Sequence, residues 1–151
     1  MMRRVLNSHR LMASCLALPL GIAACGGSSG KHSGAPPPAH KYVARLSGSA
    51  VPHGGARGGS GFAVIALRAS SHQVCWRFAH LHGFIGATTA SIDAARTETT
   101  TLALSTAPRL HHRGCVSANP AVLKAIASDP AAYFVRVRSL DYPAGAVRGP
   151  L

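Results

Sequence analysis

Towards the end of the chain, apolar and charged side chains alternate one for one. Tyr133, Val135 and Val137 interleave with Phe134, Arg136 and Arg138, the period-two pattern of a strand with one buried face. Pro143 and Gly145 then supply turn chemistry, a fixed φ and a residue free to take φ > 0. Residues 146–148 predict a short closing strand, so 133–151 reads as a hairpin that completes a sheet. Further strand-like runs fall at 42–46, 61–68, 73–82, 88–94 and 99–104, separated by breaks such as Pro52-His53-Gly54-Gly55 and Gly83-Phe84-Ile85-Gly86. The β-branched run Thr99-Thr100-Thr101 suits a strand. One helix is predicted: Asn119 can cap it, Pro120 fits its first position, Val122, Leu123 and Ile126 form its apolar stripe, and Asp129-Pro130 ends it. Many short strands with one short helix near 120–128 predict an all-β fold, an antiparallel β-sandwich of the immunoglobulin-like kind.

The start of the chain follows a different pattern. Arg3, Arg4 and Arg10 precede an apolar run over 11–24 that is short for a bilayer span and ends in small residues. Residues 1–24 therefore read as a signal peptide. Ile22-Ala23-Ala24-Cys25 resembles a bacterial lipobox, which implies a lipoprotein: Cys25 becomes the new N-terminus and carries lipid, with palmitate-type acyl chains. Two or more such chains suffice for stable anchoring; the alternatives are cleavage with release, or an uncleaved anchor. Residues 25–40 hold that cysteine and a Gly/Ser/Pro linker, flexible at first and stiffened by Pro36-Pro37-Pro38. The folded domain is expected over 41–151. With Cys15 in the leader and Cys25 at the anchor, Cys75 and Cys115 remain. An even pair in an exported domain reads as a disulfide bond, two buried free thiols being the alternative. A two-cysteine metal site fits less well, since neither has a second cysteine at ligand spacing.

The hairpin also carries a resemblance. Its Tyr133-Phe134-Val135, Val137, Ser139, Tyr142-Pro143, Gly145, Val147-Arg148-Gly149 and Leu151 resemble the C-terminal signature of the CHRD (chordin-type) domain, common in bacterial envelope proteins. Tyr42 to Gly48, Val51-Pro52 and Gly61-Phe62-Ala63 are similar to that family's opening segments, so the likeness covers most of 42–151. The settings Val74-Cys75-Trp76 and Gly114-Cys115-Val116 resemble those of a cysteine pair in many bacterial members. The resemblance implies a cell-envelope compartment and a sandwich, and supplies no activity. Two departures stand out. The family's Ala-His-Ile-His reads here Ala90-Ser91-Ile92-Asp93, and its Val-Asn-Val-His-Thr reads Val135-Arg136-Val137-Arg138-Ser139. Three histidines are replaced.

Charge narrows the function classes. Sixteen Lys and Arg face four acids, and from Cys25 onward thirteen cations remain, a formal charge of +9. Asp93, Glu98, Asp129 and Asp141 are the only carboxylates, none placed for paired acid/base work, and no nucleophile motif is present. The expectation is a non-catalytic binding or structural module, lipid-anchored on the outer face of the cytoplasmic membrane, with no cofactor. Arg136 and Arg138 share a strand face and, with Arg148, are the candidate anion-binding residues, for anionic envelope components or an acidic envelope protein. Nucleic acid is argued against by the exported location. The alternative is a metal-binding, superoxide-dismutase-like β-sandwich using His80 and His82, two residues apart on one strand face. The further ligands such a site needs are missing, His111-His112 fall in a loop, and a plain strand face continuing Trp76 and Phe78 explains the pair as well.

Overall fold

A computed structural model describes residues 39–106 and 108–151; the expected signal peptide, Cys25 and nearly all of the expected linker lie outside them. Eight strands form one antiparallel sheet. In chain order they are β1 (His40–Ser47), β2 (Ser60–Arg68), β3 (Gln73–His82), β4 (Ala87–Ala94), β5 (Thr100–Ser105), β6 (Arg113–Ser117), β7 (Tyr133–Ser139) and β8 (Val147–Pro150). Among the described residues a single α-helix, α1 (Pro120–Ser128), separates β6 from β7. The sheet order is β5-β4-β7-β8-β1-β2-β3-β6. It is all-β with one short helix, as the patterning predicts.

The sheet curls until its two edges, β5 and β6, come together. The connection between them seals this meeting. Trp76 Nε1 donates to the His111 carbonyl at 2.9 Å and the His111 amide donates to Ser105 Oγ at 3.1 Å. Inside lies one buried cluster, drawn from alternate residues of each strand: Leu46, Ile65, Val74, Trp76, Ile92, Val135, Val137 and Val147 among them. Leu123 and Ile126 of α1 join it. The helix starts as expected, with Asn119 Oδ1 accepting from the Ala121 amide at 2.8 Å. Among the described residues, every strand, the helix and the whole cluster lie between His40 and Leu151.

Strand β6 is absent from the sequence reading. Its five residues, Arg-Gly-Cys-Val-Ser, offer one large apolar side chain and a glycine, too little for a period-two signal. Packing makes the glycine necessary: a Cβ at Gly114 would stand 2.6 Å from Trp76 Cζ2. The disulfide explains the pairing. Cys75 and Cys115 are directly opposite on β3 and β6 and are bonded, with Cα atoms 4.0 Å apart. The link closes a span of 40 residues that contains the whole β4–β5 excursion.

A second difference concerns the end of β3. Ser60 pairs with His82 but Phe62 with Ala79, so one extra residue bulges from β3, and His80 takes a left-handed φ of 52°. The bulge turns Leu81 towards the core and leaves His80 and His82 exposed, instead of letting the pair continue the Trp76/Phe78 face.

Removal of the cross-strand link, by Cys75→Ser/Cys115→Ser or by reductant, is expected to cost about 3–4 kcal/mol through the regained entropy of the unfolded chain. Urea unfolding with and without reductant measures it; the double variant should be insensitive to reductant.

Candidate functional site

The outer surface of the sheet carries two distinct polar regions. The first lies on β4, β7 and β8. Ser91 and Asp93 of β4 alternate with core residues, so they point outward beside Arg136 and Arg138 of β7; Arg148 of β8 stands directly opposite Arg136. The loops that follow η-turn residues Gly48–Ala50 and strand β7 cover them: a Cβ on Gly145 would stand 3.2 Å from Arg136 Cδ and 3.4 Å from Val51 Cγ1. Asp93 is thereby fully buried and Arg136 is 8% exposed.

A carboxylate taken out of water must be compensated, and here two guanidiniums do it. Arg136 Nε lies 2.9 Å and Arg138 Nη2 3.4 Å from Asp93 Oδ2. The Arg136 Nε–H is not aligned on that oxygen, so the first contact is one of charge, and Asp93 Oδ1 has no partner among the described residues. Arg138 Nη1 donates to Ser91 Oγ at 2.8 Å, and Arg136 Nη1 to the Ala144 carbonyl at 2.9 Å. Glu98, in the β4–β5 turn, completes the set: its Oε2 is 3.2 Å from Arg136 Nη2 and its Oε1 is 2.7 Å from Arg148 Nη1. Arg148 also donates from Nε to the Ala50 carbonyl. Both guanidiniums also lie over the Phe134 ring, with Arg136 Cζ 5.0 Å and Arg148 Cζ 4.7 Å from its centre, within reach of cation–π attraction. Glu98 adopts a left-handed φ of 54°, unusual for this residue type, while making both ion pairs.

The three arginines expected to face anions are thus brought together, but their charges are met from within the chain. Missing from the sequence reading is the role of Asp93 and Glu98, which converge on Arg136 from 43 and 38 positions away. The signal was the scarcity of acids: with four carboxylates in a strongly basic chain, an acid on the strand beside Arg136 and Arg138 is a natural partner. The same geometry shows what stands in place of the replaced histidines. Ser91, Asp93 and Arg138, the three positions where the family pattern has histidine, are mutual neighbours joined by hydrogen bonds and an ion pair.

The second region lies on β1, β2 and β3. Cross-strand rows Ser47–Ser60–His82 and Arg45–Phe62, with His80 at the bulge, line an open hollow of about 360 Å³. Ser60 Oγ and His82 Nε2 are hydrogen-bonded at 2.7 Å. Arg45 lies 5.5 Å over the Phe62 ring, and the His80 ring meets Phe62 edge-on at 6.4 Å. So the two histidines share a hollow, yet among the described residues no third His, Cys, Asp or Glu joins them in a metal-binding group. His111 and His112 lie elsewhere, beside Arg77 and Arg113.

Fold and surfaces define a disulfide-linked, all-β domain whose buried charged residues, Asp93 and Arg136, are committed to ion pairs. Residues 42–151 match the model of the CHRD domain, and the chain belongs to that family. No curated protein and no solved structure matches it. Membership points to a non-enzymatic binding or structural module.

Two outcomes test the ion-pair network. Arg136→Ala should destabilise the domain by about 3–5 kcal/mol, because it strands a buried carboxylate, and Asp93→Ala/Arg136→Ala should cost less than the two single changes together; urea unfolding supplies the cycle. The second outcome is a pH dependence. The hydrogen bond from Arg148, with the charges of Arg148 and Arg136, holds Glu98 below the ordinary carboxylate value of 4.5 against a smaller opposing effect of burial. A depressed folded-state value means stability that is present above the unfolded-state value and lost as pH falls through the folded one. Glu98→Gln should therefore be less stable at neutral pH and lose less stability on acidification than the parent chain.

Proposed function

We propose that this chain is an extracytoplasmic lipoprotein whose CHRD domain is a non-catalytic binding or structural module tethered to the outer face of the cytoplasmic membrane. Cys25, at the end of Ile22-Ala23-Ala24-Cys25, is the residue that takes the lipid, and the short linker up to residue 40 is the spacer. The observation that carries this reading is the fit of the leader and lipobox to a domain containing the Cys75–Cys115 disulfide, a bond at home in oxidising, exported compartments. Family membership supports the absence of an enzymatic role, and the partners are anionic components of the envelope.

Expression in a bacterium with lipoprotein-processing enzymes tests it. The parent chain should label with a palmitate analogue and fractionate with membranes until detergent is added. Cys25→Ala should abolish the label. Retention of the label in that variant, or an unlabelled parent chain, would sink the anchoring.

A further inference from the structure

The sheet treats opposed arginines in two ways. Arg136 and Arg148 face each other across β7 and β8, and Glu98 bridges them. Arg77 and Arg113 face each other across β3 and β6 in the same manner, and among the described residues no carboxylate is paired to either. Like charges directly opposite destabilise a sheet. Their neighbours do nothing to offset this. The outward-facing residues of β1, β2, β3 and β6 include Lys41, Arg45, Arg68, Arg77 and Arg113 and no Asp or Glu, because two of the four acids serve the network on the other face and Asp129 and Asp141 lie outside these strands. All five cations are exposed. Between them run apolar side chains, Val43 at 63% exposure and the half-buried Phe62, Val64 and Ala66. Two open hollows, one beside Arg45 and one of about 510 Å³ beside Arg77 and Arg113, lie at the margins.

We infer that the outer face of β1-β2-β3-β6 docks on an anionic bilayer surface. The counter-charge the chain withholds from Arg77 and Arg113 is supplied by lipid headgroups, while Val43 and Phe62 lie at the level where headgroups meet acyl chains. A surface is favoured over a soluble polyanion because cations and exposed apolar groups share one face spanning about 15 Å across four strands. Position agrees: β1 begins at His40, and the next residue, Lys41, is the first on this face. The inference deepens the tethered reading, since it says which side of the domain meets the membrane, but its test needs no lipid anchor.

Residues 25–151 with Cys25→Ser, disulfide intact, would be sedimented with vesicles of phosphatidylcholine alone and of phosphatidylcholine containing phosphatidylglycerol. Binding is expected only to the anionic vesicles and should fall with salt. Arg77→Ser/Arg113→Ser should bind about 30-fold more weakly, whereas Arg96→Ser/Lys124→Ser, cations outside these strands, should bind like the parent. Val43→Trp should show a blue-shifted emission on adding anionic vesicles. Equal losses in both double variants, no preference for anionic vesicles, or full competition by polyphosphate without a Val43→Trp shift would overturn the inference. Vesicle binding by a chain that is never acylated in cells would sink the anchor alone; acylation without vesicle binding would sink this docking face alone.

Discussion

The structure depends on where its last two strands go. β7 pairs with β4 and β8 pairs with β1, so the C-terminal hairpin splices the β4–β5 pair to the β1-β2-β3-β6 group. Without it there are two partial sheets, each with an apolar face exposed. The splice requires close backbone approach. At Gly149 a Cβ would run into the Arg45 carbonyl, so β8 can lie against β1 only with glycine there. Non-local pairing of this kind is costly in loop entropy before its contacts form, and the Cys75–Cys115 bond lowers that cost at the opposite margin of the sheet.

The ion-pair network belongs to this same splice. Arg136, Arg138 and Arg148 all stand on the hairpin, while Asp93 and Glu98 come from β4 and the turn after it. Buried ion pairs are weak evidence for net stability, because desolvation consumes much of the Coulombic gain. Their effect is asymmetric, however: a mispaired register would strand Asp93 in the interior without a cation. The network therefore penalises wrong splices more than it rewards the right one. In this chain Ser91 and Asp93 are both held by Arg138, at the three positions where the resembled family pattern carries histidine.

Most of the fold was legible in the residues. Strand β3 spans the 73–82 run that its residues predict, α1 starts and stops on its capping residues, and the closing hairpin is marked by Pro143 and Gly145. β6 was not legible, because Gly114 is dictated by the Trp76 ring and Val116 alone cannot make a periodic signal. The bulge at His80 was equally hidden. A period-two pattern assumes an unbroken pleat, and one inserted residue moves every later side chain to the other face. The basic character of the surface could be read from composition, but not which arginines remain free. That depends on which cations the few acids reach, a property of strand order.

Strand order also decides where binding can occur. For Arg136 to engage an external anion it would have to leave Asp93, which is fully buried and among the described residues has one other cation in reach, Arg138 at 3.4 Å. The penalty for an uncompensated buried carboxylate is several kcal/mol, comparable with the whole free energy of a millimolar ligand. Arg77 and Arg113 carry no such commitment. Neutralising them from outside relieves a repulsion already present in the folded domain, so the same charge that is held in place on one face is available on the other. Two of the four acids are spent on that one neutralised patch and the strands β1, β2, β3 and β6 carry none, which is why the docking inferred above falls on their outer face.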